Sequence, residues 1–267
     1  MRKILFKTSL IVCSFTLILL SCKKDASVKE SALPVSEDVL TKIAALGFGN
    51  KDVVKHEEGY LVEGDIVITD EQLKNRPESS LLRVGEEEQY RTNNLVTSLP
   101  RNITVRVRSS LPSRYVTALN STISRYNALG LRITFSRVTS GGDIVISAAP
   151  SGAGYLASAG FPTSGGSPYN SVRVNRAYLD SWDINTVTSI LAHEIGHCIG
   201  FRHTDYMARQ YSCGGSPVNE GASNVGAVHI PGTPTGPDPN SWMLACIGNG
   251  VNRPFNTNDR TALNYLY

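Results

Sequence analysis

Charge is scarce in this sequence of 267 residues, and neither sign dominates once the first residues are set aside. Charged residues make up 18% of the chain, and the formal net charge is +3. Without residues 1–21 the chain loses three of its 26 basic residues and no acidic one, which leaves 23 of each sign. A near-neutral chain gives no electrostatic reason to bind an anionic surface, and we expect no nucleic acid as partner.

The apolar stretch near the start, ILFKTSLIVCSFTLILL, is too short and too closely followed by charge for a comfortable membrane span, which indicates a secretory signal. The residues LLSC, ending at Cys22, resemble the lipobox of bacterial lipoproteins. The resemblance implies a signal over 1–21, a lipid on Cys22 and a polar tether over 22–36. The protein would then be exported and lipid-anchored in the cell envelope, at the outer membrane or cell surface, unless processing releases it. A plain signal peptide cut nearby is the alternative.

Cysteine is rare, and no C-x-x-C pattern occurs, which argues against a zinc site built from cysteines. Cys198, Cys213 and Cys246 remain in the exported part. Because export places them in an oxidising setting, we expect one disulfide and one thiol left over. The sequence does not say which two residues pair.

Residues 37–100 read as a small N-terminal segment with a linker. EDVLTKIAALGF has the spacing of an amphipathic helix that stops at a glycine. GYLVEGDIVITDEQL predicts a strand, a break, a second strand and a short helix. The mixed polar residues 74–100 predict a linker, with a short strand near Leu95.

Residues 101–267 have the pattern of a compact α+β domain. ITVRVRSSL predicts a strand, and PSRYVTALNSTISRYNALG predicts an amphipathic helix. LRITFSRV, DIVISAA and SVRVNRAYL predict further strands, and INTVTSILAHEIGHCIG predicts a second long helix capped near Asn185. Beyond residue 204 the chain is loop-rich until NTNDRTALNYLY, which predicts a short final helix.

Only five histidines occur, and three of them fall in the stretch HEIGHCIGFRH. His193 and His197 are four residues apart on the predicted helix, a spacing that suits two ligands of one zinc ion. Gly200 ends the helix and permits a sharp turn that returns His203 as the third ligand. Three imidazole nitrogens leave a fourth position for water, and Glu194 is placed to take a proton from it. The pattern predicts one catalytic Zn²⁺ with Glu194 as general base.

The same residues match H-E-x-x-H-x-x-G-x-x-H, the extended motif of the metzincin metallopeptidases, and HEIGHCIGFRHTD resembles the bacterial HEIGH metallopeptidase family. Metzincins share a methionine turn beneath the zinc, and SWM, ending at Met243, is similar to it. The resemblance covers about residues 101–267. It implies a metzincin-like α+β fold: a twisted, mostly parallel sheet with two long helices in an upper lobe, and a loop-rich lower lobe ending in a short helix. It also implies an endopeptidase whose extended polypeptide substrate pairs with an edge strand within about residues 150–175.

Some positions depart from better-known relatives. Astacin-type enzymes carry a tyrosine two residues after the turn methionine, whereas this chain has Ala245, so we expect no tyrosine ligand. Thr204 is also atypical, and substrate preference is therefore not carried over. Asp205 either forms a hydrogen bond near the site or caps the turn that follows the motif. The two remaining histidines are expected at the surface or in loops: His56 and His229.

The stretch VEGDI, ending at Ile66, resembles the F-x-G-D-I motif of astacin pro-segments, where the aspartate binds the catalytic zinc and displaces the water. Asp65 can offer a carboxylate oxygen, and Gly64 lets the backbone come close. The resemblance implies that residues 23 to about 95 are an inhibitory pro-segment of a zymogen. A tight turn between two strands is the alternative.

The leading function is an exported, lipid-anchored zinc endopeptidase. A second is a binding lipoprotein that keeps zinc but has lost catalysis. Glu194 argues against it, because a structural zinc site does not need that carboxylate. A third is a zinc hydrolase that acts on a non-peptide bond. We take a monomer as the default.

Overall fold

The computed structural model describes residues 34–46, 48–74, 89–219, 227–234 and 237–267. The predicted signal over 1–21 and Cys22 lie outside these ranges. Within them, none of the helices combines the length and the apolar character that crossing a bilayer requires.

The N-terminal segment forms a helix and a small antiparallel meander. α1 (Glu37–Ala45) begins after Ser36, whose hydroxyl accepts a hydrogen bond from the amide of Val39 at 3.4 Å. The expected strand near Leu95 is wrong, because that side chain packs against the turn at Gly200 and the pairing residues lie earlier. The other elements of the segment are β1 (Val54–His56), β2 (Gly59–Val62), β3 (Ile66–Thr69), α2 (Asp70–Lys74) and β4 (Tyr90–Arg91).

Residues 101–203 show the predicted alternation of strands and helices, with one strand more than expected. The additional strand, β8, consists of small residues with little strand propensity, so pairing with its neighbours decides its conformation. The elements are β5 (Arg101–Val107), α3 (Ser113–Asn127), β6 (Ile133–Arg137), β7 (Ile144–Ala148), β8 (Ala157–Gly160), β9 (Ser171–Val174), α4 (Arg176–Leu179) and α5 (Ile184–Cys198).

The described residues form a sheet of eight strands in the order β1-β2-β3-β8-β9-β7-β5-β6. The pairs β3–β8, β9–β7, β7–β5 and β5–β6 are parallel and the other three antiparallel, which confirms a mixed α+β fold with a mostly parallel sheet. In the β3–β8 pair, Ile66 faces Ala159 and Val67 faces Gly160. β8 therefore has a neighbour on each side. The expectation of an edge strand within 150–175 is wrong for this form of the chain, because the β2–β3 hairpin covers that edge.

The two long helices, α3 and α5, pack against each other. The hydroxyl of Tyr126 on α3 donates a hydrogen bond to the carbonyl oxygen of Ala192 on α5 at 2.8 Å. α5 is almost entirely buried. Its cap precedes the expected position at Asn185: the carboxylate of Asp183 accepts hydrogen bonds from the amides of Asn185 and Thr186. A helix buried on all sides brings its polar residues into the interior, where they need partners.

Beyond α5 the helices and strands are short, and a disulfide adds a covalent link within this region. Cys213 and Cys246 form a disulfide, and Cys198 is the buried free thiol. The elements of this region are a 3-10 turn (Tyr206–Ala208), α6 (Gln210–Cys213), β10 (Val228–His229), which pairs with β4, and α7 (Thr257–Leu266).

The predicted final helix, α7, is tied to the segment before Met243 by one carboxylate. Asp259 accepts hydrogen bonds from the side chains of Gln89 at 2.8 Å and Ser241 at 2.9 Å, and from the amide of Trp242 at 3.2 Å. It also forms a capping box with Asn256. Burial raises the pKa of Asp259 to about 6 against these hydrogen bonds. This buried carboxylate positions the turn on which Trp242 lies.

Candidate metal centre

The third histidine returns to the helix through a turn at Gly200. Gly200 has a φ of +112°, which favours glycine, and a side-chain carbon there would lie 2.9 Å from the carbonyl oxygen of Asn94. The amide of Phe201 donates to the carbonyl of Gly196 at 2.9 Å, which closes the helix end. The chain then runs back so that His203 lies beside the two histidines of α5.

Four side chains predicted from the sequence meet at one point: His193, His197, His203 and Asp65. One ligand atom from each lies within 4.8 Å of all the others. A carboxylate oxygen of Asp65 is 3.2 Å from Nε2 of His203 and 3.5 Å from Nε2 of His193. The three histidines are buried and the side chain of Asp65 is 13% exposed, so most of the donor set is out of contact with solvent.

Two carbonyl oxygens fix the protonation of the helix histidines. Nδ1 of His193 is 3.0 Å from the oxygen of Trp242, and Nδ1 of His197 is 2.8 Å from the oxygen of Phe201. A carbonyl only accepts, so each Nδ1 carries the proton and each Nε2 presents a lone pair. These two Nε2 atoms are 2.9 Å apart, a repulsive contact that a cation between them makes attractive.

The donor set therefore fits a zinc ion. Three imidazoles and one carboxylate are ordinary zinc ligands. Burial, followed by the charges of His193 and His203, lowers the pKa of His197 well below its usual value and favours the neutral, ligating form. Burial alone would raise the pKa of Asp65, but the charge of His203 opposes this effect and holds that pKa well below its usual range.

The β2–β3 turn delivers Asp65 to the histidines. Glu63 and Gly64 have φ values of +54° and +92°, and a side-chain carbon on Gly64 would lie 2.5 Å from the guanidinium of Arg209. Arg209 also donates a hydrogen bond to the carbonyl oxygen of Glu63. The amide of Ala159 in β8 donates to the carbonyl of Asp65 at 3.0 Å. Both sides of the turn are thus held by the rest of the chain.

A buried ion pair anchors the same turn. The guanidinium of Arg202 is 2.5 Å from the carboxylate of Glu63, and both side chains are at most 1% exposed. Arg202 also lies over the ring of Phe48 at 4.5 Å, and the amide of Gly49 donates to Glu63 at 3.0 Å. Sequence reasoning missed this anchor. The signal was an arginine in the apolar motif GFRH, since a buried arginine is almost always paired.

Met243 packs against α5 at Gly196, between the two helix histidines, and its role as a methionine turn beneath the zinc stays a prediction. Its sulfur would be 2.7 Å from a side-chain carbon at Gly196, and its carbonyl accepts the amide of Thr204 at 3.0 Å. Asp205 forms a hydrogen bond near the site rather than a cap: its carboxylate accepts the amide of Ala245 at 2.9 Å. The two segments that flank the metal centre are therefore joined by short hydrogen bonds.

Glu194 is buried on α5 next to His193, and its Oε2 has no hydrogen-bond partner among the described residues. Burial, and then the charge of Asp65, raises the pKa of Glu194 well above its usual value, against the opposing charge of His203. The side chain lines a cavity of about 230 Å³ that also borders His193 and Asp65. A carboxylate held beside the metal ligands and facing a cavity is suited to proton transfer.

The remaining histidines are outside the donor set. His229 is half-buried and contacts the hydroxyl of Thr233 at 3.1 Å. The expectation that His56 lies at the surface or in a loop is wrong, because this residue is buried at the end of β1. Its Nδ1 accepts a hydrogen bond from the amide of Glu58 at 3.2 Å. Cys22 lies outside the described residues.

Three imidazoles, a fourth oxygen ligand and an adjacent buried carboxylate define the class of metal-dependent hydrolases. The family described as "Dual-action HEIGH metallo-peptidase" matches residues 60–267. The chain belongs to this family. It is a zinc metallopeptidase, and polypeptides are its substrates.

Two solved structures of myroilysin are similar to the chain. The one titled "Crystal structure of myroilysin" is 16% identical with a TM-score of 0.41, and the match covers 63% of this chain and 83% of that one. The one titled "Structure of myroilysin" is 17% identical with a TM-score of 0.42, covering 65% and 96%. No curated protein sequence matches the chain.

The contact between Gly196 and the methionine turn yields a stability prediction. Gly196→Ala places a carbon 2.5 Å from the ring of buried Trp242, which cannot move without displacing its neighbours. We expect a loss of about 1–3 kcal/mol in the free energy of unfolding. Urea unfolding at a fixed zinc concentration measures it, with Gly248→Ala as control because nothing lies within 4 Å of that position. Equal midpoints for the two variants would contradict this packing.

Proposed function

We propose that the protein is an endopeptidase in which His193, His197 and His203 hold the zinc and Glu194 transfers protons. The observation that carries this is the unpartnered oxygen of buried Glu194 in a cavity beside the donor set. When bound, zinc supplies a Lewis acid that polarises a scissile carbonyl and activates water. Glu194 takes a proton from the attacking water and delivers it to the leaving amine.

The substrate-binding strand in this proposal is β8. An extended peptide binds by adding main-chain hydrogen bonds to a free strand edge. β8 runs past the metal centre. The amide of Ala159 in β8 donates a hydrogen bond to the carbonyl of Asp65, whose side chain reaches the histidines. In the present form β3 holds that edge, so the peptide and the β2–β3 hairpin compete for one place.

The hairpin also supports latency, and we propose that the chain is made as a zymogen whose inhibitory segment lies between residue 23 and about 95. Asp65 stands among the metal ligands, where a fourth ligand excludes water. Breaking the buried pair between Glu63 and Arg202 leaves an unpaired buried charge, which is strongly unfavourable. These contacts make spontaneous release of the hairpin costly, so activation requires a cut in the chain.

We further propose that the protein is exported and attached to the cell envelope by a lipid on Cys22. The sequence LLSC and the polar residues after it support this. The disulfide between Cys213 and Cys246 supports an oxidising compartment.

One observation favours a second function. With Asp65 in place the donor set has four protein ligands, as in closed structural zinc sites. A lipoprotein that keeps zinc without catalysis would have this arrangement permanently.

The first prediction of the proposed function concerns Glu194. Residues 23–267 are assayed on casein before and after limited proteolysis with a second protease that is then inhibited, and bound zinc is quantified. Glu194→Gln should retain one zinc per chain and lose roughly 10²–10⁴-fold in cleavage rate, because the proton acceptor is gone. Arg137→Gln, at an exposed position on β6 that remains in the cut form, is the control. Stoichiometric zinc without cleavage by the wild type in either form would favour the non-catalytic function.

The second prediction concerns latency. Asp65→Ala in the uncut chain should tighten the binding of acetohydroxamate, a small zinc ligand, at least about tenfold, because the fourth position is open. It should raise peptide cleavage by a smaller factor, because β3 still covers the edge of β8. Asp70→Ala, an exposed acid in the same segment, should change neither. If Asp65→Ala leaves both values at the wild-type level, Asp65 is a turn residue and not an inhibitory ligand.

The third prediction concerns the anchor. In cells fed a labelled fatty acid, the wild type should carry label and sediment with membranes, and Cys22→Ser should lose both properties. Cys13→Ser, within the signal, should leave the labelling intact. An unlabelled wild type in the soluble fraction would point to a plain signal peptide.

A further inference from the structure

The cavity beside Glu194 is lined by apolar side chains, by two arginines and by the carboxyl groups of Glu194 and Asp65. It lies between α5, the segment before β8 and the loop after Met243, and its volume is about 230 Å³. Leu244 and Ile247 contribute apolar surface, and the guanidinium-bearing side chain of Arg253 lines the same space. Polar groups placed in an otherwise apolar cavity are what fixes the orientation and identity of a ligand.

The chemistry places one particular substrate residue in this cavity, an argument that rests on the proposed function. A general acid must lie within hydrogen-bond reach of the leaving nitrogen. The side chain of the residue that supplies this nitrogen is attached only one bond further on. Because Glu194 lines the cavity, we expect that side chain to enter it. The cavity would therefore bind the side chain of the residue that follows the scissile bond.

Arg253 is held in place but has no carboxylate within 4.0 Å among the described residues. Its Nη1 reaches the carbonyl oxygen of Leu244 at 3.5 Å, and its amide donates to Ser189 at 2.9 Å. Burial lowers the pKa of Arg253, while Asp205 and Asp259 oppose that shift from a distance. Both acids already accept shorter hydrogen bonds from other donors. The half-buried guanidinium thus retains hydrogen-bonding capacity toward a ligand.

We propose that this cavity binds an acidic side chain and that Arg253 is a specificity-determining residue: the peptidase cleaves before glutamate or aspartate. The planar guanidinium matches a carboxylate with two parallel hydrogen bonds, which an amide or an apolar side chain cannot reproduce. Arg209, on the hairpin side of the cavity, adds a second positive charge. The alternative occupant is an apolar substrate side chain that packs against Leu244 and Ile247.

The kinetic test uses matched fluorogenic peptides that differ only in the residue after the scissile bond. With the active form of the wild type, kcat/KM for glutamate should exceed that for glutamine by about ten- to a hundredfold. Arg253→Gln should bring this ratio near one while the glutamine peptide is still cleaved, and Arg253→Glu should favour lysine. Arg137→Gln, an exposed arginine on β6 at the far end of the sheet, should leave the ratio unchanged. A wild-type preference for leucine over glutamate overturns the proposal.

A binding test separates this proposal from the proposed function. The dipeptides Glu-Ala and Gln-Ala, which mimic the product that carries the new amine, are titrated calorimetrically into the full zinc-loaded chain. Glu-Ala should bind at least about tenfold tighter, and Arg253→Gln should abolish the difference at an unchanged zinc content and melting temperature. Equal affinities overturn the acidic pocket even if peptides are cleaved. A retained difference without any cleavage supports the pocket and rejects the peptidase.

Discussion

The metal centre depends on two hydrogen bonds that do not touch the metal position. The carbonyl oxygens of Trp242 and Phe201 each accept a hydrogen bond from the Nδ1–H of a helix histidine. They thereby turn both Nε2 lone pairs toward one point. Each carbonyl is itself positioned by a remote feature: Trp242 by the Asp259 carboxylate, and Phe201 by the close of α5. The turn at Trp242 and the end of α5 thus position the two carbonyl oxygens that orient the histidines.

The second constraint is the buried pair between Arg202 and Glu63. Arg202 lies next to His203 in the motif, while Glu63 lies two residues before Asp65. The pair therefore sets the register of the hairpin against the metal ligands. Any other register would leave two buried charges without a partner, which is strongly unfavourable. The family match begins at residue 60, so this hairpin belongs to the matched region.

Sequence patterns predicted what local chemistry determines. Helical spacing placed His193 and His197 on one face, glycine predicted the turn before His203, and alternation predicted most strands. They failed where tertiary contacts decide. β8 has no intrinsic strand preference and forms because β3 and β9 flank it. The anchoring role of Arg202 depends on a partner 139 residues away, which no local pattern can reveal.

In the proposed zymogen, one hairpin therefore excludes both water from the metal and a peptide from the strand edge. Its turn places Asp65 among the metal ligands, and its second strand covers the edge of β8. Because the turn and the strand are contiguous, neither can leave while the other stays fully seated. The cavity beside Glu194 borders Gly64 and Asp65 but is not filled by them, so the hairpin competes for the metal and the strand edge and not for the side-chain site. In this proposal, inhibition rests on Asp65 and on the pair between Glu63 and Arg202, whereas side-chain recognition rests on Arg253. Arg209 takes part in both, because it holds the turn and also lines the cavity.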